Sequence, residues 1–137
     1  MVDEIILFDL YLDQIITFEE IEAPTYHPDV RVWNVTRDGE HIAVFIGDYF
    51  ARGSKRSGAW CSAMRSQQRL AGDIRPHVIN VCNFAKPEEG QPALLSYDDA
   101  RTLFHEFGHA LHGALSATRY SSNAGTNVNE DGMKFNF

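Results

Sequence analysis

Ser96-Tyr97-Asp98-Asp99-Ala100-Arg101-Thr102-Leu103-Phe104-His105-Glu106-Phe107-Gly108-His109-Ala110-Leu111-His112-Gly113 is the stretch on which the reading of this chain turns. Ser96 offers an N-cap hydroxyl and Asp99 stands at the capping-box position, while Asp98 and Asp99 put negative charge in the first turn, where the helix dipole favours it. Leu103, Phe107, Ala110, Leu111, Ala114 and Leu115 recur at helical spacing. The pattern predicts a helix from Ser96 to about Thr118.

On such a helix His105 and His109 lie one turn apart and about 40° apart around the axis, so both imidazoles can reach one ion. Glu106 falls on the flank of the same face, placed to bond a metal-bound water rather than the metal, which is the position of a general base. A zinc ion there would bring the water's pKa toward neutrality, and the carboxylate would take its proton as it attacks a peptide carbonyl. The expected site is therefore one Zn²⁺ with His105 and His109 as ligands and Glu106 as the catalytic residue, and the expected chemistry is amide hydrolysis. His112 is about 20° from His105 around the axis but roughly 10 Å further along it. It is read as a histidine beside the site or in the core, not as a ligand. The metzincin pattern would put Gly at 112 and His at 115, and His112 and Leu115 exclude it. The third ligand is expected from elsewhere, as a carboxylate on a neighbouring helix. Gly108 suits close approach of that neighbour, although it could equally be a conformational accident.

Working upstream, Pro76 precedes His77-Val78-Ile79-Asn80-Val81-Cys82-Asn83-Phe84, a β-rich run ended by the loop Lys86 to Pro92. Val30, Val32 and Val35, then Ile42, Val44 and Ile46, flank Arg37-Asp38-Gly39-Glu40, and Asp-Gly predicts a hairpin turn between strands spanning about Val30 to Tyr49. Ala51 to Gly58, rich in turn formers and cations, predicts a loop, followed by a short helix from Ala59 to Leu70. Leu10 to Ile21 is read as a short amphipathic helix stopped before Pro24. The fold class expected is α+β, with a hairpin and a short strand preceding the His-Glu-x-x-His helix.

The other polar residues carry less chemistry. His27, His41 and His77 are isolated and read as structural or exposed. Arg52, Lys55, Arg56, Arg65, Arg69 and Arg75 concentrate cations in one stretch; a solvated loop face is preferred over capture of a peptide's terminal carboxylate. Trp33 and Trp60 are assigned to the core. Cys61 and Cys82, without Cys-x-x-Cys spacing, read as two reduced thiols.

The chain has 137 residues, enough for one domain or part of one, and 44% hydrophobic with 23% charged residues is ordinary globular usage. A formal charge of -7 has the wrong sign for a protein held to nucleic acid by phosphate contacts. The acidic start Met1-Val2-Asp3-Glu4 lacks the form of a signal peptide and no apolar run approaches a membrane span, so a cytoplasmic, membrane-free protein is expected.

Leu103-Phe104-His105-Glu106-Phe107-Gly108-His109-Ala110-Leu111-His112-Gly113 resembles the zinc helix of the thimet oligopeptidase and peptidyl-dipeptidase (dipeptidyl carboxypeptidase) family. Tyr26 to Trp33, Gly47 to Arg52, Lys55 to Trp60 and Asn83 to Pro87 resemble segments preceding that helix in the peptidyl-dipeptidase branch. The likeness covers roughly Thr17 to Val128. It implies a cytoplasmic zinc metallopeptidase cutting short peptides within a mainly α-helical zincin catalytic domain, of which residues 17–128 would be a partial copy. The resemblance further implies helices upstream and downstream, with His and Tyr residues that bind substrate, and a Glu as third zinc ligand within Asp-Phe-Val-Glu-Phe-Pro. With Asp131 on the family Asp, Lys134 falls where that Glu is expected. Residues 1–16 match poorly and 129–137 diverge, so both ends read as edges of a truncated frame. Leu103, Phe107, Leu111 and Leu115 would then lack part of their packing surface, and association through exposed apolar surface is expected. The competing expectation is a non-catalytic remnant that binds metal weakly or joins a partner chain.

Overall fold

The computed structural model describes residues 4–9 and 14–127. Among them the elements are β1 (Glu4–Asp9), β2 (Gln14–Ile21), β3 (Arg31–Arg37), β4 (Glu40–Phe50), β5 (Trp60–Arg65), β6 (His77–Phe84), α1 (Tyr97–Ala114) and two short 3₁₀ turns, η1 (Ser121–Asn123) and η2 (Gly125–Asn127). The strands form one mixed sheet in the order β1-β2-β3-β4-β6-β5. The β4–β6 pair is parallel and the others are antiparallel. Helix α1 lies on one face, against β6, β5 and β4.

The hairpin forms as the Asp-Gly signal predicts. Asp38 and Gly39 have φ of 49° and 83°, the left-handed pair that a tight turn matching the strand twist requires. Asp38 also anchors the turn to β2, since its backbone N–H donates to the Ile15 carbonyl (2.9 Å) and its carboxylate accepts from the Ile15 N–H (3.0 Å). The strand over His77–Phe84 is present, as is the loop after it.

Two expected helices are strands. Gln14–Ile21 pairs with β3, and the alternation of exposed Ile15 with buried Ile16 and Phe18 is a strand period rather than a helical one. The Leu10 to Asp13 part of that expectation lies outside the described residues. Trp60–Arg65, expected as helix, is β5, because the open edge of β6 supplies its backbone partners. Trp60 is consequently 49% exposed instead of in the core, whereas Trp33 is buried as expected.

The core lies between the sheet and α1, built from Ile16 and Phe18 of β2, Trp33 and Val35 of β3, Ala43 and Phe45 of β4, Val78 of β6, and Ala110 and Ala114 of α1. Phe107 is the wedge of the helix: its ring meets Phe45 edge-on at 5.6 Å and Phe18 at 5.4 Å. Leu111 and Leu115 pack against the same core, so the sheet covers most of the stripe expected to lack a surface. The large apolar side chains left bare on α1 are Tyr97 and Phe104, at 84% and 72% exposure.

Helix α1 begins with the predicted capping box, both Ser96–Asp99 bonds being made. It stops at Ala114 instead of Thr118, because Gln67 holds Thr118 through three hydrogen bonds and draws the chain off the helical path.

On the opposite side of the sheet from α1, Asp48 of β4 is 2% exposed and receives a forked pair from Arg52 (2.7 and 2.8 Å), the Tyr26 hydroxyl (2.8 Å) and Lys55 Nζ (3.1 Å). Lys55 also donates to the carbonyls of Asp48, Phe50 and Cys82, tying β4, the loop and β6 together. With Arg52 and Lys55, four of the six cations in that stretch thus prove paired: Arg69 meets Asp73, and Arg75 meets Glu40 and Asp73. It is an intramolecular ion-pair network and not a free face for a carboxylate.

Candidate active site

The helix brings His105 and His109 together. Their Nε2 atoms are 3.2 Å apart and their rings stand at 90° with centroids 4.7 Å apart. Two imidazole nitrogens at about 2.0–2.1 Å from one tetrahedral ion would be about 3.3 Å apart, so this pair fits two positions around zinc without rearrangement. His105 is exposed and His109 half-buried, which gives one ion access from solvent while one side of it rests on protein. Glu106 is half-buried and adjoins the pair in sequence on the same helix.

Among the described residues no group of three or more His, Cys, Asp or Glu side chains converges. The donor set therefore supplies two imidazoles and needs a further ligand. Lys134, the position where that ligand is expected, lies outside the described residues, as do Glu130 and Asp131.

A cleft opens beside His109 between β5, α1 and η2, lined by Ser62, Ala63, Gln67, Gly113, Thr126 and Asn127 among others. Among the described residues β5 is the terminal strand of the sheet and is mostly exposed, so its outer edge presents main-chain groups beside the cleft that His109 lines. The floor of the cleft is shaped by small residues. A Cβ on Gly125 would lie 2.9 Å from Gly113 Cα, so η2 and α1 touch backbone to backbone. Gly113 permits close approach to α1, facing both η2 and Val78 of β6.

Thiol chemistry is disfavoured. Burial, with the nearby Glu106 carboxylate adding to it, pushes the Cys61 thiol up to about 12, and burial likewise pushes Cys82 up to about 11, so neither forms the reactive thiolate. Both are free cysteines, as expected. The isolated histidines play structural parts: His27 Nδ1 accepts from the Asp29 N–H, His41 Nδ1 lies 2.6 Å from Asn34 Oδ1, and burial lowers the pKa of His77, with Arg65 contributing.

Two buried polar residues were passed over in the sequence reading: Asn80, which lies under α1, and Asp48, on the other side of the sheet. Asn80, on β6, is fully buried, and its amide faces the backbone of α1 at Glu106 and Phe107. The only sequence signal for either is a polar side chain inside a run of β-branched and aromatic residues.

Residues 6–134 match Peptidase family M3. The chain is 52% identical over 122 residues to dipeptidyl carboxypeptidase of Salmonella typhimurium, covering 88% of this chain and 18% of that protein. It is 48% identical over 118 residues to dipeptidyl carboxypeptidase of Escherichia coli, covering 85% and 17%. With Escherichia coli oligopeptidase A it shares 40% identity over 101 residues, covering 72% and 15%. This chain belongs to Peptidase family M3. The resemblance drawn from the zinc helix and its flanks therefore points to the right family. The chain spans about a sixth of the length of the curated family M3 relatives it matches, 15–18% in these comparisons.

Proposed function

We propose that the chain carries the metal-binding helix of a zinc-dependent peptidase of the peptidyl-dipeptidase or oligopeptidase type, hydrolysing peptide bonds of short peptides in the cytoplasm. The observation that carries this reading is the 3.2 Å approach of His105 and His109 Nε2 atoms, with Glu106 beside them. Among the described residues no helix is long and apolar enough to cross a membrane.

His105 and His109 would hold one Zn²⁺, which when bound supplies Lewis acidity for a water and for the scissile carbonyl. Glu106 takes the proton of the attacking water and passes it to the leaving amine. The outer edge of β5 holds an extended peptide by main-chain hydrogen bonds, a mode that reads backbone before side chain and suits a range of short peptides. Ser62 and Ala63, being small, leave room for it.

The test is calorimetric zinc titration of the intact chain. His105→Ala should abolish most of the binding, and equal affinity in both proteins would sink the reading. A catalytic zinc ordinarily has three protein ligands, so two imidazoles with an ammonium at 134 should bind weakly. Lys134→Glu should tighten binding substantially, with the gain lost again in His105→Ala. A second reading, a non-catalytic member that associates with a partner chain, draws on the bare Tyr97 and Phe104. Sedimentation showing a monomer that resists dilution would count against it.

A further inference from the structure

We propose that Asn80 is the positioning residue that fixes the catalytic turn of α1, setting the direction in which His105, Glu106 and His109 are presented. This inference rests on the metal-site reading above. Asn80 is fully buried at the middle of β6, the strand lying under α1. A buried amide without partners is costly, and Asn80 finds both of its partners on one peptide group of the helix. With the amide assigned so that its nitrogen faces the acceptor and its oxygen the donor, the nitrogen donates to the Glu106 carbonyl (3.1 Å) and the oxygen accepts from the Phe107 N–H (3.2 Å).

The sheet is shaped to allow this contact. In register, Asn80 has Gly47 of β4 on one side and Cys61 of β5 on the other. Neither projects far, so the helix backbone can descend onto the amide. Gly47 is fixed as glycine because a Cβ there would lie 2.5 Å from the Tyr49 ring, which lies over it. A second close contact, Val78 of β6 against Gly113, holds the helix further along. The carbonyl and N–H engaged by Asn80 belong to the residues between the two histidines. A roll or slide of α1 at this point would turn both imidazoles and the Glu106 carboxylate together. An apolar residue at 80 could fill the same volume but would not specify the roll.

Metal ligands depend on supporting bonds of this kind, whose loss typically weakens metal binding about 10–100-fold. The experiment uses the intact chain with Co²⁺ as the probe, read by affinity and by visible absorption. Asn80→Leu should bind Co²⁺ at least tenfold more weakly and with an altered spectrum, by the same rule. Val32→Ala removes buried volume from β3 outside the core that packs on α1, and should lower stability while leaving affinity and spectrum unchanged. A folded Asn80→Leu with wild-type affinity and spectrum overturns the proposal. Should that variant not fold, magnetic resonance on the unaltered chain decides. A scalar coupling across the hydrogen bond from Asn80 Nδ2 to the Glu106 carbonyl carbon is expected, and its absence overturns the assignment. Co²⁺ bound equally by wild type and His105→Ala would instead remove the metal-site reading while the coupling persists. The two failures are thus distinguishable.

Discussion

The Asp48 cluster and the His105–His109 pair are both concentrations of polar side chains, and they are opposite in kind. At Asp48 both carboxylate oxygens are taken, Arg52 uses its fork, and Lys55 Nζ is surrounded by the Asp48 carboxylate and three carbonyls. The cluster is 2% exposed at its carboxylate and closed to any ligand. On α1, two imidazole nitrogens are aimed at one point from an exposed helix face, and only one proton can lie between them. Saturated charge under cover stabilises an arrangement of strands. Two imidazole nitrogens 3.2 Å apart on a helix face are the geometry on which the proposed metal site rests.

Substitution at Glu106 separates the two regions most sharply. Glu106→Gln keeps the shape but cannot accept a proton. In any protein containing this segment with measurable peptidase activity, kcat should fall about 10²–10⁴-fold, the usual contribution of a positioned base. Zinc content and melting temperature should be unchanged. Near-normal turnover would remove Glu106 from the mechanism.

Asp48→Asn should act the other way, on stability and not on metal. Arg52 and Lys55 would be left under cover without their counter-charge, a loss of about 3–5 kcal/mol by analogy with broken buried pairs. Burial alone would raise the Asp48 carboxyl, but the bonds from Arg52, Tyr26 and Lys55 outweigh it and hold it well below the ordinary carboxylate range. The same contact, together with burial, pushes the Tyr26 hydroxyl up to about 12. Because the folded carboxyl titrates below its unfolded value of about 3.9, its stabilisation is complete above that pH and is lost as pH falls through the folded value. Denaturant titrations of wild type from neutral pH to below 3 should show this decline. Asp48→Asn should show a shallower one, and parallel curves would exclude Asp48 as the source.

A smaller effect is expected at the floor of the cleft. Gly125 has φ of 54°, and its missing Cβ would meet Gly113 Cα at 2.9 Å, an atom of the backbone that cannot swing aside. Gly125→Ala should cost about 1–3 kcal/mol through strain and displacement of η2. Since η2 lines the cleft beside His109, this change should also shift the amide resonances of His109 and Gly113. Unchanged spectra at those positions would show that η2 does not rest on the helix in solution.

What was legible in the sequence divides along physical lines. Helix α1 and the β3–β4 hairpin carry local instructions, a capping box in one and an Asp-Gly turn in the other, and both form, α1 starting at its predicted cap and ending short of Thr118. β2 and β5 carry no such instruction. Their backbone groups are satisfied by neighbouring strands, so Gln14–Ile21 and Trp60–Arg65 are strands because β3 and β6 have open edges to pair with. His105, Glu106 and His109 could be proposed from sequence because their relation is a spacing along one helix. Asn80 could not, since its partners on α1 lie far along the chain, and Asp48 was missed because the loop that returns Arg52 and Lys55 to it has no periodic pattern. Even the cation cluster, correctly noticed, was assigned to solvent because Asp48, four and seven residues before Arg52 and Lys55, shows its burial only once β4 is placed in the sheet.

The smallest effect tests how local the helix instruction is. Ser96 Oγ accepts from the Asp99 N–H (3.1 Å), and Asp99 Oδ2 accepts in return from the Ser96 N–H (3.0 Å). Ser96→Ala removes the first bond and frees one of the N–H groups that a helix start leaves without a partner, costing about 1 kcal/mol. The cap is exposed, so the loss should not be amplified by burial. Fraying of the first turn reaches Tyr97 to Ala100, while the helix from Phe107 onward is held by the core and by the Asn80 contact. Zinc affinity should therefore be the same in Ser96→Ala and wild type, although the melting temperature falls. If affinity dropped in step with stability, the presentation of His105 and His109 would depend on the N-terminal cap, and the anchoring at β6 would not be what holds the site in place.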